Sequence, residues 1–354
     1  MKLVIFGLSI SSSWGNGHAT IMRGLCRSLR QRGHSIVFFE RDVPYYAAYR
    51  DCPDPSWARL YLYDDWAAIA PVAREHLCDA DVAMATSYCP DGPAAAEEIF
   101  ASKVPVRIFY DLDTPVTLDA LEQGKKVAYI GPHGLRDFDL VLSFTGGKAL
   151  VRLEELLGAQ RALPLYGCVD PETHFPSSPL DDYRSDLSYL GTYSADRQEM
   201  VETLLLQTAR RLPEKKFLIG GSLYPPDFPW AGNLYYINHI PPPRHPAFYC
   251  SSAFTLNVTR HAMAAMGYCP SGRLFEAAAC ATPIISDVWE GLEQFYMPGS
   301  EIILAKGTDD VVAALSLTEQ ERMAIARRAR QRTMDEHTAH HRAWEFEKMV
   351  AEIS

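Results

Sequence analysis

The segment SGRLFEAAACATPIISD, which covers Ser271–Asp287, combines a turn, a helix and a strand. Pro270 and Gly272 predict the turn. The run Arg273–Cys280 contains helix formers with small packing residues, and Thr282–Ser286 is a short β-branched strand. A helix that starts behind such a loop directs free N–H groups and a positive dipole end outward, which favours anions. The segment therefore predicts either an anion site or an ordinary strand-helix-strand unit of a parallel sheet.

Strands and helices alternate on both sides of this segment, in two blocks. The first block opens with the strand Lys2–Gly7, a loop and the helix Thr20–Gln31, and it ends near residue 165. A segment rich in Pro, Ser and Asp follows at 167–186, and we interpret it as a linker. The second block opens with the strand Leu187–Gly191. Continuous apolar strands are typical of parallel sheets covered on both faces. The sequence thus predicts an α/β protein with two Rossmann-like β/α/β domains that face each other across a cleft.

Composition and charge limit the function classes. The chain has 354 residues, of which 47% are hydrophobic and 22% charged, as expected for a globular protein with two domains. Its formal net charge of -10 disfavours binding to a polyphosphate backbone, so no nucleic-acid partner is expected. The 8 cysteines have no metal-binding or redox spacing, which favours a reducing compartment. No apolar run reaches the roughly 18 residues of a membrane span, so we expect no transmembrane segment and a cytoplasmic location.

In open α/β sheets, ligands bind beyond the carboxyl ends of the strands. The loop and helix start after the first strand contain Gly15, Asn16, Gly17 and His18. The spacing Gly15-x-Gly17-x-x-Thr20 lacks the third glycine of a dinucleotide fingerprint, although Glu40 stands near the place of its ribose-binding acid. A nicotinamide cofactor is therefore not favoured.

Three acid–base candidates follow strand ends in the first domain. His18, near a helix start, suits a general base, an anion contact or a plain bond to nearby backbone. Asp111 and Asp113 follow the strand Val106–Tyr110, and on an extended backbone both would point to the same side. Such a pair can hold a metal, orient a histidine or form a turn with a helix N-cap. No third clear ligand lies nearby in the sequence, so we expect no metal.

Three arginines follow strand ends in the second domain: Arg197, Arg260 and Arg273. Arginine pairs bidentately with phosphate, which makes it better suited to this task than lysine. One such residue alone is typical of a surface charge, but three in equivalent places within an acidic chain predict a diphosphate pocket. Glu276, one turn into its helix, then suits the hydroxyl groups of a ribose.

Several segments together resemble one known family. In the second half they are SYLGTYSADRQ (188–198), NVTR (257–260), PSGRLFEAAACATPIISDVWEGLEQF (270–295) and PGSEIIL (298–304). In the first half they are WGNGHATIMRGLCRSLRQRGH (14–34) and YDLDTPVTL (110–118). These segments resemble the GT-B glycosyltransferases, in particular the CgeB-like, spore-maturation-type branch related to the family-4 enzymes. The resemblance spans both domains and is strongest over 254–305.

The resemblance implies an acceptor-binding domain at 1–165 and a nucleotide-sugar-binding domain at 166–335. It also implies a terminal helix, within 336–354, that crosses back to the first domain. The implied donor residues are Gly191, Thr192, Tyr193, Arg197, Arg260, Ser271, Gly272, Arg273 and Glu276. The implied acceptor-side residues are Gly15, Asn16, Gly17 and Asp113, with His18 and Asp111 as the catalytic pair. Glu276 matches the second glutamate of the family-4 E-x7-E motif, whereas the first falls at Tyr268, which leaves the donor-sugar contacts open.

The activity implied by the resemblance is transfer of a sugar, typically a hexose, from a nucleoside diphosphate to a hydroxyl group. A UDP-sugar is the expected donor, and the acceptor is left open between a small molecule, a glycan and a protein. No cofactor and no metal are expected, because arginines and a helix start can stabilise the departing diphosphate. A His18–Asp111 pair resembles that of inverting family-1 enzymes, whereas the family-4 relationship favours retention. A nucleotide-sugar epimerase and a non-catalytic nucleotide-binding protein remain alternatives.

Overall fold

The computed structural model describes residues 1–353 and divides the chain into two compact units. The N-terminal unit contains Met1–Tyr166 and the C-terminal stretch that begins at Ala339. The C-terminal unit contains Gly167–Thr338. Each unit has its own parallel sheet and its own helices, which confirms the predicted α/β class with two Rossmann-like units.

The N-terminal unit is built on a 7-stranded sheet of order β3-β2-β1-β4-β5-β6-β7, in which all neighbouring strands are parallel. Its strands are β1 (Lys2–Gly7), β2 (Ser35–Arg41), β3 (Arg59–Tyr63), β4 (Val82–Thr86), β5 (Val106–Asp111), β6 (Leu140–Ser143) and β7 (Ala162–Pro164). Its first six helices are α1 (Gly17–Gln31), α2 (Pro44–Ala47), α3 (Trp66–Leu77), α4 (Gly92–Ala101), α5 (Thr114–Glu122) and α6 (Lys148–Leu157).

The C-terminal unit repeats this topology in a 6-stranded parallel sheet of order β10-β9-β8-β11-β12-β13. Its strands are β8 (Ser185–Leu190), β9 (Phe217–Gly221), β10 (Leu234–Asn238), β11 (Ser252–Asn257), β12 (Ile284–Ser286) and β13 (Ile303–Leu304). Its helices are α7 (Gln198–Val201), α8 (Gln207–Arg211), α9 (His245–Cys250), α10 (His261–Met266), α11 (Gly272–Ala279), α12 (Thr308–Leu315) and α13 (Glu319–Glu336). A π-helical turn, Glu202–Leu206, joins α7 to α8. Short 3₁₀ turns lie at Asp181–Tyr183, Ala195–Arg197, Pro242–Arg244 and Leu292–Gln294.

The last helix, α14 (Ala339–Ala351), belongs to the N-terminal unit, where it packs against α1. Just after α1, the Arg32 guanidinium donates from Nε to Glu347 at 2.8 Å, and His34 Nε2 lies 2.6 Å from the same carboxylate. Arg32 is the main reason why the pKa of Glu347 falls to about 2. These hydrogen bonds attach helix α14 to the residues that follow α1.

The two sheets share one feature that positions ligands. The strand order reverses beside the first strand of each unit, since β1 lies between β2 and β4, and β8 lies between β9 and β11. Crevices at such reversal points, outside the carboxyl ends of the strands, are where α/β sheets bind ligands. The loops that follow β1, β4, β8 and β11 are therefore the places to look for chemistry.

The boundaries differ from the sequence prediction mainly where a side chain or a proline acts locally. Helix α1 begins at Gly17 and not at Thr20, because the Asn16 side chain caps it by accepting the Ala19 N–H at 3.4 Å. Helix α5 and strand β7 were not predicted, and α5 starts with Pro115 at one of its first positions, where proline is well tolerated. No helix within residues 1–353 is long and apolar enough to cross a membrane.

Candidate functional site

The buried carboxylate of Glu40 holds the loop after β1 through hydrogen bonds. Glu40, at 0% exposure, accepts the backbone N–H groups of Ile10 at 2.7 Å and Ser11 at 2.9 Å. It also accepts the Ser9 hydroxyl at 2.8 Å. A carboxylate that is already saturated by the loop has no capacity left for a ribose, so Glu40 serves to shape the loop.

His18 lies in the first turn of α1 and contacts Asp113 across the N-terminal crevice. Its Nε2 lies 3.2 Å from Asp113 Oδ2, and each side chain is 16% exposed. Since a carboxylate only accepts, Nε2 carries the proton and Nδ1 of the neutral ring keeps its lone pair. Nδ1 is buried and has no hydrogen-bond partner within residues 1–353, so no described protein group competes for its lone pair.

Tyr88 stands beside this pair in the loop after β4. Its ring centroid lies 5.5 Å from that of His18, and its backbone has φ 61, in the left-handed region that a tyrosine rarely adopts. Strained residues of this kind concentrate at functional sites. Nothing in the sequence indicates this backbone conformation, because a positive φ at a non-glycine residue has no pattern of its own.

The predicted pairing of His18 with Asp111 is corrected by the structure, which places Asp113 next to the histidine. Asp111 is the last residue of β5, and the chain turns at Asp113, whose φ of -136 and ψ of 43 are no longer those of a strand. The two carboxylates therefore do not point to the same side. Asp111 is 0% exposed, and its Oδ1 accepts the Asp113 N–H at 3.0 Å. Burial raises the pKa of Asp111 to about 6.

Replacement of Asp111 by Asn is expected to stabilise the fold at neutral pH. The folded chain holds the Asp111 proton with a pKa of about 6, against the ordinary value of 3.8 for an aspartate, so stability falls as the pH rises through this interval. The full difference between the two pKa values corresponds to about 3 kcal/mol of unfolding free energy. The unpaired amide N–H that asparagine adds reduces the net gain in stability to about 1–2 kcal/mol. Urea unfolding between about pH 4 and pH 7 measures it.

The exposed Asp64 provides the matched control, because its replacement by Asn removes the same charge from a solvated position. A variant with Asn at position 111 that keeps the parent's loss of stability over this pH range would show that Asp111 is not the group responsible.

In the C-terminal unit, Arg273 fills the crevice between β8 and β11. Its guanidinium donates to the Leu190 carbonyl oxygen and, from Nη1, to Asn257 Oδ1 at 2.9 Å. It also lies over the ring of Tyr189, with 5.0 Å from Cζ to the ring centroid. These contacts fix the guanidinium at the carboxyl ends of two adjacent strands, next to the predicted phosphate loop at Ser271 and Gly272.

The loop after β8 packs closely against Arg273 and against Gly221 at the end of β9. A Cβ on Gly191 would lie 2.9 Å from Nη2 of Arg273, and one on Gly221 would lie 2.0 Å from the Gly191 carbonyl oxygen. The loop is fixed to the end of β9, where the Tyr193 N–H donates to the Ser222 carbonyl at 2.9 Å and the Thr192 hydroxyl lies 3.4 Å from Ser222 Oγ.

The other two predicted arginines flank this loop. Arg197 donates from Nη1 to the Thr192 carbonyl at 3.4 Å, and its buried Nε has no partner within the described residues. Arg260 donates from Nε to Asp196 at 2.9 Å, with both side chains about a third exposed. Arg197 and Arg273 therefore both border the Gly191–Tyr193 loop. The charge of Arg260, in contrast, is partly neutralised by the Asp196 carboxylate.

Glu276 projects from the second turn of α11 into a nearly closed environment, with its side chain 14% exposed. Its Oε2 accepts the Tyr249 hydroxyl at 3.1 Å and lies 4.0 Å from His174 Nε2. Burial raises the pKa of Glu276, but His174, His245 and the Tyr249 hydroxyl outweigh it, and the pKa lies below its usual value. Among the described residues, Glu276 makes no salt bridge to Arg273, so the two are available for separate contacts.

Sequence reasoning identified Arg273 and Glu276 but missed the residues that orient them. Asn257 entered only as part of the NVTR segment (257–260), and Tyr249, His174 and His245 were not identified as part of a site. Tyr249, His174 and His245 are 27 or more residues away from Glu276 in the chain, and only the fold brings them together. Asn16, a predicted acceptor-side residue, has its side chain engaged as the cap of α1 and in bonds to Ser9 and Ser12 carbonyls.

Comparison with known proteins bears on one region of the sequence and on the fold. A family model described as glycosyl transferase-like matches residues 197–348. A search of curated proteins gave no significant match. Among solved structures, sucrose-phosphate synthase from Thermosynechococcus elongatus superposes with a TM-score of 0.72 at 12% identity, over 100% of this chain and 99% of that one.

Two further solved structures superpose over almost the whole of this chain and of their own chains. HepE from Anabaena, solved with UDP and glucose, has a TM-score of 0.71 and 12% identity over 99% of this chain and 100% of its own. A glycosyltransferase from Rickettsia africae has a TM-score of 0.65 and 11% identity over 99% and 98%. The chain has the fold of the GT-B glycosyltransferases. The narrower CgeB-like branch and the family-4 relationship are not supported by these matches.

Proposed function

We propose that this chain, which has the GT-B fold and a glycosyl transferase-like region, transfers a sugar from a UDP-sugar to a hydroxyl group. The observation that carries the proposal is that Arg273 and Arg197 both border the loop after β8 and that Glu276 lies on the same helix as Arg273, all within the matched region. Two guanidinium groups suit a diphosphate, and a carboxylate one helical turn away suits a ribose.

The donor would lie in the C-terminal unit. The start of α11, with Ser271 and Gly272, adds free backbone N–H groups to the positive charge of Arg273. Charge that develops on the departing diphosphate is thereby stabilised by fixed donors, and we propose that transfer needs neither a metal nor another cofactor. UDP is the nucleotide to test first, because HepE was solved with UDP and glucose.

The acceptor would bind on the N-terminal unit, beside Gly15, Gly17 and the His18–Asp113 pair. Nδ1 of His18 takes the proton of the attacking hydroxyl group, and Asp113 fixes the tautomer and stabilises the imidazolium that forms. A general base of this kind activates a nucleophile for direct displacement, so the proposed outcome is inversion at the anomeric carbon. An epimerase is not favoured, because the matched family model and the neighbouring structures are glycosyltransferases.

A thermal-shift and product assay tests the proposal. UDP and UDP-glucose should raise Tm, since a ligand that binds only the folded chain at 100 times its Kd adds about 2.7 kcal/mol to stability. GDP serves as the comparison nucleotide. Release of UDP that depends on an added acceptor would support transfer, whereas an isomerised nucleotide sugar without acceptor would indicate the epimerase. Absence of binding by every nucleotide sugar tried would refute the assignment.

A further inference from the structure

Three potential metal ligands meet at the base of the proposed donor site. His174 lies in the segment before β8, His245 begins α9 and Glu276 lies on α11; we refer to them as the His-His-Glu cluster. One ligand atom from each lies within 4.8 Å of the other two. The separations include 3.4 Å between His174 Nε2 and His245 Nδ1, and 4.0 Å between His174 Nε2 and Glu276 Oε2.

The 3.4 Å separation of the two imidazole nitrogens fits a first-row transition metal. Two nitrogens that each lie about 2.05 Å from a tetrahedral zinc ion are about 3.4 Å apart, and two histidines with one glutamate form a common three-ligand set with an open fourth position. Imidazole ligands favour zinc, cobalt and nickel over magnesium and calcium, which prefer oxygen ligands. His174 is 1% exposed, so its imidazole is already buried in the cluster.

Two of the three ligands, His245 and Glu276, also have the outer partners that are typical of a metal site. His245 donates from Nε2 to the Ile240 carbonyl at 2.9 Å, which leaves Nδ1 with its lone pair toward the cluster. Such a bond from the second ring nitrogen to a backbone carbonyl orients most metal-binding histidines. The Tyr249 hydroxyl fixes Glu276 in the same way. Nδ1 of His174 has no partner within residues 1–353 and can carry the ring proton when Nε2 binds a cation.

We propose that His174 Nε2, His245 Nδ1 and Glu276 form a binding site for Zn²⁺ or a similar transition-metal ion. Because Glu276 is also the carboxylate proposed to hold the ribose, the ion and the nucleotide exclude each other. Bound metal therefore inhibits donor binding and takes no part in transfer. This last step rests on the proposed function, whereas the metal site itself does not.

Cobalt titration of the metal-stripped full chain tests the site directly. Co²⁺ alone should give the visible d–d bands of a tetrahedral ion with one equivalent bound, without the near-ultraviolet band of thiolate ligands, and Zn²⁺ should displace it. Glu276→Gln and His245→Gln should each weaken binding at least about 100-fold, and Tyr249→Phe about 10-fold. His133→Gln, which changes an exposed histidine of the N-terminal unit, should bind Co²⁺ as the parent does.

Glu276→Gln keeps the side-chain shape, and its melting curve shows whether it folds. Absence of binding in the parent, a thiolate band, or equal binding by Glu276→Gln would overturn the metal site. Addition of UDP to the cobalt-loaded chain should remove the visible bands. Bands that persist while UDP binds would refute mutual exclusion, and UDP that fails to bind the metal-free chain would refute the proposed function and leave the metal site standing.

Discussion

Replacement of Asp113 by Asn or His18 by Ala is expected to lower kcat for sugar transfer by about 10²–10⁴, the usual contribution of a general base. Asn at position 113 retains a side chain of the same shape but can present an N–H to His18 Nε2, which favours the wrong tautomer. His18 Nε2 lies 3.2 Å from Asp113 Oδ2, so both changes should impair the same proton transfer.

The split between binding and chemistry separates this role from a structural one. Loss of a base lowers kcat and leaves the Kd of UDP unchanged, because UDP is held by the other unit's residues in the proposal. The double variant should be little worse than either single variant, since the two side chains act as a unit. Initial rates with UDP-sugar measure kcat, and NMR of the product measures anomeric configuration.

The matched control is Asp137→Asn, which removes an exposed carboxylate from the same unit. Rates within roughly threefold of the parent for both His18→Ala and Asp113→Asn would eliminate the acid–base pair. A product of retained configuration would eliminate the direct displacement and leave His18 with at most a binding role.

The sequence predicted the elements of the fold well because their signals are local. Strand β1 is continuous and apolar, and its bounds Lys2–Gly7 agree between prediction and structure. Helix α2 has only 4 residues and no buried residue, so no periodicity could reveal it. Strand β7 has 3 residues and ends in a proline, and its pairing with β6 defines it.

The candidate site was predictable only where one segment supplies the residues. Arg273 and Glu276 lie on one helix, and the spacing of three residues was enough to group them. The partner of His18 could not be deduced, because the choice between Asp111 and Asp113 depends on where β5 stops and the chain turns. His174 and His245 are 71 residues apart, and no spacing rule connects them to Glu276.

Arg273→Ala and Glu276→Gln are expected to affect nucleotide binding in different ways. Arg273 is proposed to contact phosphate, so its loss should weaken UDP by about 10–150-fold, the equivalent of about 1.5–3 kcal/mol for a charged hydrogen bond, and should spare uridine. Glu276 is proposed to contact the ribose, which uridine and UDP share. Its replacement by Gln should therefore weaken both ligands by a similar factor of about 10–100.

Arg273→Lys should recover only part of the loss, because lysine keeps the charge but lacks the fork that also bonds Asn257 Oδ1 and the Leu190 carbonyl. Arg327→Ala, an exposed arginine on α13, controls for a general change of charge. Calorimetric titration of uridine, UMP and UDP into each variant measures the pattern. Equal weakening of uridine by both variants would mean that Arg273 acts by holding the ends of β8 and β11, and that the helix start has only a structural role.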